Sequence, residues 1–350
     1  MRPPLAGLEH TFCYRFACAA AVLMASFSIS AHAEVTNASD RCAAVDLQAA
    51  PAKPVAIRYG ITGGGEEPLA LLWADRKNYP GNGSFYDLQP QKFRPGDRMT
   101  AVQAGSLDAG SITLPALITA VRVGIPIRAV ASIVETNKDD NQGAFAVLRE
   151  SGITDIKQLK GKRISILGPN TISEYWIKSA LRRAGLKPGD VSYVSLPIPA
   201  NEQALRNKQI DVAWLARQFL AKAEADGGVD ILMRPMQATQ QAHPTTMAFF
   251  TQQFLKEHPK AFCAWRRDYQ SALANWAKNR SHYYPALIAA GYVTPASAKA
   301  GPDGGRAPGG RLSLEDIDAT IKDMADAHFL PPGPQLEASQ LIEKGYTLTR

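Results

Sequence analysis

The chain has 350 residues, of which 39 are Lys or Arg and 32 are Asp or Glu, for a formal net charge of +7 at pH 7. This length is sufficient for two compact lobes, each with its own hydrophobic core. The basic residues are scattered and no run is longer than two, so the sequence lacks the basic stripe with stacking aromatics that nucleic acid binding requires.

The first 33 residues have the pattern of a secretory signal. Arg2 and Arg15 supply positive charge, residues 17–29 are apolar, and residues 31–33 (AHA) form a small-x-small cleavage site. The apolar run is shorter than the ~20 residues of a membrane-spanning helix. We therefore predict that residues 1–33 are a signal peptide and that the protein is exported.

Strands and helices alternate after residues 34–54, which are polar and Ala-rich and are predicted to be a loosely ordered N-terminal extension. Strands are predicted at residues 55–61, 84–92, 107–111, 127–134, 145–149, 163–167, 191–196, 210–214 and 229–233. Helices between them are predicted to begin at Glu66, Asp97, Thr113, Glu174, Ala200 and Arg217. This alternation predicts an α/β fold.

The second half of this region repeats the first. A shift of 103 residues places Ala101, Val102, Leu107, Asp108, Leu117 and Ala120 on Ala204, Leu205, Ile210, Asp211, Leu220 and Ala223. Two similar α/β units in series predict two lobes that face each other across a cleft. Asp108 and Asp211 occur at equivalent strand starts, which indicates a structural role for both.

The remaining residues are predicted to return to the first lobe. Residues 245–251 read as a strand, and residues 259–278 as a long helix. Its aromatic spacing predicts one buried face, made of Phe262, Trp265, Tyr269, Leu273 and Trp276. Residues 301–310 read as a flexible loop, 314–329 as a last helix and 331–350 as a surface tail. The predicted lobes are residues 55–145, 146–244 and, returning to the first lobe, 245–350.

Several segments in this order resemble the periplasmic substrate-binding proteins of ABC transporters for nitrate, taurine and aliphatic sulfonates, a group that includes carriers of thiamine-precursor pyrimidines. An A-G-x-x-D-x-G segment, a Q-L-K-G-K segment and a second Asp-strand carry the resemblance. It extends over about residues 55–330, and the matching segments are residues 101–133, 152–166, 181–186 and 204–223.

The resemblance implies a two-lobed periplasmic-binding-protein fold of type II, with a ligand cleft between the lobes and two hinge crossings near residues 142–149 and 244–250. It also implies a monomeric, non-catalytic receptor in the periplasm. Such a receptor binds a small anionic ligand without a cofactor and delivers it to an ABC permease with its ATPase. The predicted signal peptide agrees with this location.

Candidate ligand contacts in the first lobe lie where strands end. Gly64, Gly65 and Glu66 form a turn after the first strand, where backbone N–H groups could reach an anion, although a plain tight turn explains them equally well. Ser111 and Thr113 match the family's first-lobe contact positions. Glu135, at a strand end, is a further candidate.

In the second lobe, the candidates begin with Asn170, Thr171 and Ser173, which match the family's helix start, although helix capping alone would also account for them. Trp214 and Arg217 occupy the second copy of the corner formed by Ser111 and Thr113. Many family members have Trp-Glu-Pro where this chain has Ala-Arg-Gln at residues 216–218. Because this change reverses the local charge, we expect Arg217 to pair with an acidic ligand.

The cysteine and histidine residues suggest no catalytic or metal site. Cys42 and Cys263 could form a disulfide in an exported protein, or both could be free thiols. His243, His258, His282 and His328 lack metal-ligand spacing, so we predict no metal.

Two other functions remain open. One is an enzyme on the same fold, resembling the pyrimidine synthases or the menaquinone-pathway enzymes. The export signal argues against both, and the cysteine-rich motif of the pyrimidine synthases is absent. The other is a ligand-sensing domain that contacts a membrane receptor.

Overall fold

The computed structural model describes residues 40–62, 64–93, 97–138, 142–300 and 304–349, so the predicted signal peptide lies outside the described residues. None of the helices within these ranges is long and apolar enough to cross a membrane. The strands are β1 (Val55–Ile61), β2 (Tyr86–Lys92), β3 (Ala109–Thr113), β4 (Ile127–Thr136), β5 (Gly143–Leu148), β6 (Arg163–Ile166), β7 (Ser192–Ser195), β8 (Ala213–Ala216), β9 (Val229–Met233) and β10 (His243–Thr251). The α-helices are α1 (Glu67–Ala74), α2 (Gly81–Ser84), α3 (Asp97–Gln103), α4 (Leu114–Arg122), α5 (Ile172–Arg183), α6 (Asn201–Arg206), α7 (Arg217–Asp226), α8 (Pro235–Thr239), α9 (Gln252–Glu257), α10 (Pro259–Ala289), α11 (Pro295–Lys299), α12 (Leu314–Asp326) and α13 (Ala338–Leu341).

The first lobe is built on a five-stranded sheet with the order β2-β1-β3-β10-β4. Strand β1 runs parallel to β2 and β3, whereas β10 runs antiparallel to both of its neighbours, β3 and β4. The carboxyl ends of β1, β3 and β4 therefore lie at one edge of the sheet, where β10 begins. In α/β sheets this is the edge at which ligands bind.

The second lobe repeats this arrangement. Strands β8, β5 and β9 form one sheet, β6 and β7 form another, and a bridge between Ile164 and Val212 joins them. The combined order β7-β6-β8-β5-β9 matches that of the first lobe, with the antiparallel strand again second from one side. The predicted α/β fold with two similar lobes is confirmed.

The two crossings bring the carboxyl edges of the sheets together. The chain leaves β4 at Thr136 and enters the second sheet at Gly143, which pairs with Ala216 at the end of β8. It returns to the first sheet at His243, which pairs with Thr136 at the end of β4. Both crossings therefore join carboxyl edges, and the cleft lies between these edges. The stretches near residues 142–149 and 244–250, where the resemblance implies the crossings, instead form β5 and β10, so each crossing lies just before the predicted position.

Each lobe contains the same Arg–Asp pair, which sets where a strand begins. The Asp108 carboxylate accepts hydrogen bonds from the backbone N–H of Arg58 at 2.9 Å and from its Nε at 2.8 Å. Asp211 binds Arg163 in the same way, at 2.8 and 3.0 Å. Each Asp carboxylate accepts a hydrogen bond from a backbone N–H of the neighbouring strand. Regular backbone pairing between the two strands therefore begins after the Asp. The strand starts predicted at residues 107 and 210 are therefore too early, whereas the structural role of both Asp residues is confirmed.

The N-terminal extension is attached to helix α10 from Asp40 onward. A disulfide joins Cys42 to Cys263, which settles the alternative left open by the sequence. The Arg266 guanidinium binds the Asp40 carboxylate at 2.7 Å. The predicted aromatic face of this helix is confirmed, because Phe262, Trp265, Tyr269, Leu273 and Trp276 are all buried.

The C-terminal segment packs against the sheets, so the predicted surface tail is wrong. Leu341 and Tyr346 are buried, and the Leu312 N–H donates to Leu348 O at 2.9 Å. The described part of the predicted flexible loop, residues 304–310, is also packed, because Gly305 O accepts from the Glu135 N–H at 2.8 Å.

Candidate functional site

The Glu66 side chain stabilises the turn after β1. The Glu66 carboxylate is buried and accepts from the Thr62 N–H at 3.0 and 3.1 Å. The Glu66 N–H donates to the Tyr292 hydroxyl at 2.9 Å. Gly65 has a φ of 78°, which favours glycine, and Gly64 is exposed. Of the three predicted ligand contacts here, the Glu66 carboxylate instead binds a backbone N–H of the turn. A role in ligand binding for Gly64 and Gly65 stays a prediction.

Ser111 and Thr113 lie at the cleft edge of β3, as predicted. The Ser111 side chain is buried and its Oγ lies 3.2 Å from the Tyr59 hydroxyl. The half-buried Thr113 is the residue before α4, and its hydroxyl makes no capping hydrogen bond. The Thr113 hydroxyl is thus available at the start of a nine-residue helix, where N–H groups favour an anion.

The hinge contains a cluster of polar side chains. The hydroxyls of Thr136 and Thr245 lie 3.0 Å apart, and the Gln142 amide donates to them at 3.2 and 3.3 Å. Glu135 precedes this cluster, is buried, and lies 3.4 Å from the Ser132 hydroxyl. The cluster joins the end of β4, the first crossing and the start of β10, so it connects both crossings at the cleft.

Two of the three candidates at the start of α5, Thr171 and Ser173, use their hydroxyls within the turn that they form. The Asn170 N–H donates to Glu174 Oε2 at 2.6 Å, and Asn170 has a φ of 60°. The Ser173 hydroxyl is buried and accepts from the Leu167 N–H at 3.0 Å. The Thr171 hydroxyl donates to Gly168 O at 2.6 Å. Thr171 makes no side-chain capping hydrogen bond with α5, and a role in ligand binding for these three residues stays a prediction.

Trp214 and Arg217 lie at the corner of β8 and α7. The Trp214 ring is buried between Phe145 and Trp176, with ring centroids 5.2 and 4.9 Å away. Arg217 is also buried, and its backbone N–H donates a hydrogen bond to Gln142 O at 2.8 Å. The corner therefore contacts the first crossing directly, and Trp214 belongs to the core of the second lobe.

Two residues at the first-lobe edge were missed by sequence reasoning. Arg98, in the first turn of α3, donates from Nη1 to Ser111 O. Tyr292, which follows α10, binds Glu66 across 226 residues. A cation in the first turn of a helix opposes the helix dipole, and this signal could have drawn attention to Arg98. Nothing local marks Tyr292, because its partner is far away in the sequence.

Residues 245–350, the return segment, compensate buried charges at this edge. The Arg306 guanidinium binds Glu67 Oε2 at 3.0 Å and Ile133 O at 2.9 Å. Burial of the Tyr292 hydroxyl, together with the Glu66 charge, raises the pKa of Tyr292 well above its ordinary value, so this hydroxyl stays protonated and donates to Glu66 Oε2 at 3.0 Å.

Comparison with known proteins identifies relatives of this chain. The family described as NMT1/THI5 like matches residues 87–279, more than half of the chain. The taurine-binding periplasmic protein of Escherichia coli (strain K12) is 28% identical over 203 residues, which are 57% of this chain and 60% of that protein. This chain thus matches less than two thirds of the length of that relative.

Solved structures share the fold. The periplasmic aliphatic sulphonate binding protein SsuA from Escherichia coli has a TM-score of 0.65 and 19% identity, covering 85% of this chain and 94% of that one. The alkanesulfonate-binding protein SsuA from Xanthomonas axonopodis pv. citri, bound to MOPS, has a TM-score of 0.66 and 16% identity, covering 86% and 100%. At these identities the likeness establishes the fold.

Proposed function

The chain belongs to the NMT1/THI5-like family, and from this membership we propose that it is an exported receptor that binds a small anionic organic solute and delivers it to an ABC permease. The relatives named as taurine- and sulfonate-binding proteins support a sulfonate-like ligand. They also support a receptor without catalytic activity. The predicted signal peptide at residues 1–33 supports a location in the periplasm.

The observation that carries this proposal is the meeting of two similar sheet edges at the crossings. Gly143 pairs with Ala216 on one side, and His243 pairs with Thr136 on the other. A ligand between these edges would contact both lobes, and two lobes connected by such crossings can close over it. The hydroxyl of Thr113 and the N–H groups at the start of α4 suit an anionic group.

Ligand screening tests the proposal. Thermal unfolding is measured with taurine, MOPS, 1-propanesulfonate and nitrate, and any solute that co-purifies is identified by mass spectrometry. A ligand at 100 times its Kd should stabilise the protein by about 2.7 kcal/mol. Failure of every small anion to raise the Tm would count against an anionic ligand. Stimulation of the ATPase of a permease in proteoliposomes would test delivery.

Arg217 remains our proposed contact for the ligand's charge in the second lobe. It is the first residue of α7 and lies beside the first crossing. We expect Arg217→Ala to weaken binding of an acidic ligand in calorimetry. The matched control is Lys222→Ala in the same helix, where Lys222 is exposed and pairs with Asp226. Unchanged affinity in Arg217→Ala would reject this role.

A further inference from the structure

Arg98 extends along the cleft edge of the first sheet. Its side chain passes over Gly60, where a Cβ atom would lie only 3.1 Å from Arg98 Cδ and 3.2 Å from Cγ. Glycine at this position of β1 therefore leaves room for the side chain. The guanidinium then reaches the end of β3 and donates one hydrogen bond to Ser111 O.

The protein provides hydrogen-bond acceptors for only part of the Arg98 guanidinium. A guanidinium has five N–H donors, and Ser111 O is the single acceptor that Arg98 has among the described residues. Glu66 is the nearby acidic group, but its carboxylate already binds the Thr62 N–H and the Tyr292 hydroxyl. Burial lowers the pKa of Arg98 and the Glu66 charge raises it, and an arginine remains charged in either case. The remaining donors suit an oxyanion.

The second lobe has no cation at the matching position. The shift of 103 residues that relates the lobes places Arg98 on Asn201, the first residue of α6. The Asn201 side chain is fully buried, and neither its Oδ1 nor its Nδ2 has a hydrogen-bond partner among the described residues. The duplicated position is therefore charged in the first lobe alone.

We infer that Arg98 is a specificity-determining residue that binds the anionic group of the ligand at the first-lobe edge, beside Ser111. This inference rests on the proposed function and narrows the ligand class to organic acids with an exposed oxyanion, a sulfonate or a carboxylate. The planar guanidinium can hold two oxygens of such a group at once. The protein then binds the acid more tightly than its neutral isostere.

The test compares charged and neutral isosteres by calorimetry with the full protein. The probe pairs are 1-propanesulfonate with 1-propanesulfonamide, and butanoate with butanamide. We expect the wild type to prefer one acid over its neutral isostere by roughly 10-fold or more, and Arg98→Gln to reduce this ratio toward one. A purely structural loss would weaken both members of a pair equally and leave the ratio unchanged.

Arg128→Gln is the matched control. Arg128 lies at the start of β4, at the opposite edge of the same sheet, and also donates to a backbone carbonyl, Ile127 O, at 2.7 Å. This variant should keep the wild-type ratio. A wild type that binds acid and neutral isostere equally would overturn the inference even if Arg98→Gln did not fold. An acid preference that Arg98→Gln retains would also overturn it, while leaving the proposed function intact. If no probe binds, the proposed anionic ligand and the role of Arg98 are both rejected.

Discussion

Tyr292 and Glu66 are linked by two hydrogen bonds, 2.9 Å from the Glu66 N–H to the Tyr292 hydroxyl and 3.0 Å from that hydroxyl to Glu66 Oε2. Tyr292 follows the long helix α10, whereas Glu66 directly precedes α1, the first helix of the same lobe. Arg306 binds the adjacent Glu67 at 3.0 Å. The return segment thus supplies partners for both carboxylates at the start of α1.

We predict that Tyr292→Phe lowers the free energy of unfolding by about 2 kcal/mol, because a buried carboxylate loses a donor and the Glu66 N–H loses its acceptor. Urea denaturation measures the change. Tyr283→Phe, in the last turns of α10, is the control, since the Tyr283 hydroxyl forms no hydrogen bond with a described residue. Equal stability of the two variants would contradict the prediction.

Asp323 joins the return segment to the second lobe. Its Oδ2 accepts from the Tyr175 hydroxyl at 2.9 Å and the Ser179 hydroxyl at 2.6 Å, and Oδ1 pairs with Arg182 and Arg183, all on α5. We expect Asp323→Asn to lower the free energy of unfolding by about 2 kcal/mol. Loss of a fully buried ion pair costs about 3–5 kcal/mol, and the effect is smaller here because both arginines keep part of their surface in water.

The same helix offers a control for this prediction. Asp326 pairs with Lys322 in α12, but both side chains are exposed, 44% and 75%. Such a pair contributes about 0–1 kcal/mol, so Asp326→Asn should have little effect in the same denaturation experiment. If both variants lower the free energy of unfolding by the same amount, burial does not explain the contribution of Asp323.

His243 should make stability depend on pH. It begins β10, its Nε2 accepts from Trp176 Nε1 at 3.0 Å, and burial lowers its pKa from 6.5 to about 4. Between these values the unfolded chain binds a proton that the folded chain does not, so stability is complete above pH 6.5 and is lost as pH falls toward 4. At pH 5 the free energy of unfolding should be lower by about 2 kcal/mol, and the pKa shift of His243 limits the total loss to about 3 kcal/mol.

Replacing this histidine isolates its contribution. His243→Gln keeps an acceptor for Trp176 and removes the titration, so its stability should fall less than that of the wild type between pH 7.5 and pH 5. Denaturant unfolding at both pH values measures the difference. The exposed His282 is the control, and His282→Gln should follow the wild type. A wild-type pH dependence in His243→Gln would rule out His243 as the cause.

The disulfide between Cys42 and Cys263 should stabilise the fold strongly, because it joins residues 221 positions apart. A loop of this size restricts the unfolded chain, and we expect the double variant Cys42→Ala, Cys263→Ala to be about 3–5 kcal/mol less stable than the oxidised wild type. Reductant should lower the wild type to the same level and leave the double variant unchanged. A wild type insensitive to reductant would show that the bond contributes nothing.

The predicted site residues lie at the cleft edges, but the sequence did not reveal how they are used. Ser111 and Thr113 follow a buried strand, and the rule that ligands bind at carboxyl ends locates them without further information. Ser173 and Glu66 accept hydrogen bonds from local N–H groups, and the Asn170 N–H donates to Glu174, contacts that depend on turn geometry. Sequence spacing cannot distinguish a side chain that caps its own turn from one that faces a ligand.

The sequence by itself determined the α/β alternation, the duplication and the buried face of α10, because each depends on local periodicity or on a repeat along the chain. Tertiary structure alone decided that Arg98 reaches Ser111 O and that Tyr292 binds Glu66. It also decided that residues near Tyr346 are buried. These contacts join segments brought together by the crossings and by the return of the chain, and such contacts leave no periodic pattern in the sequence.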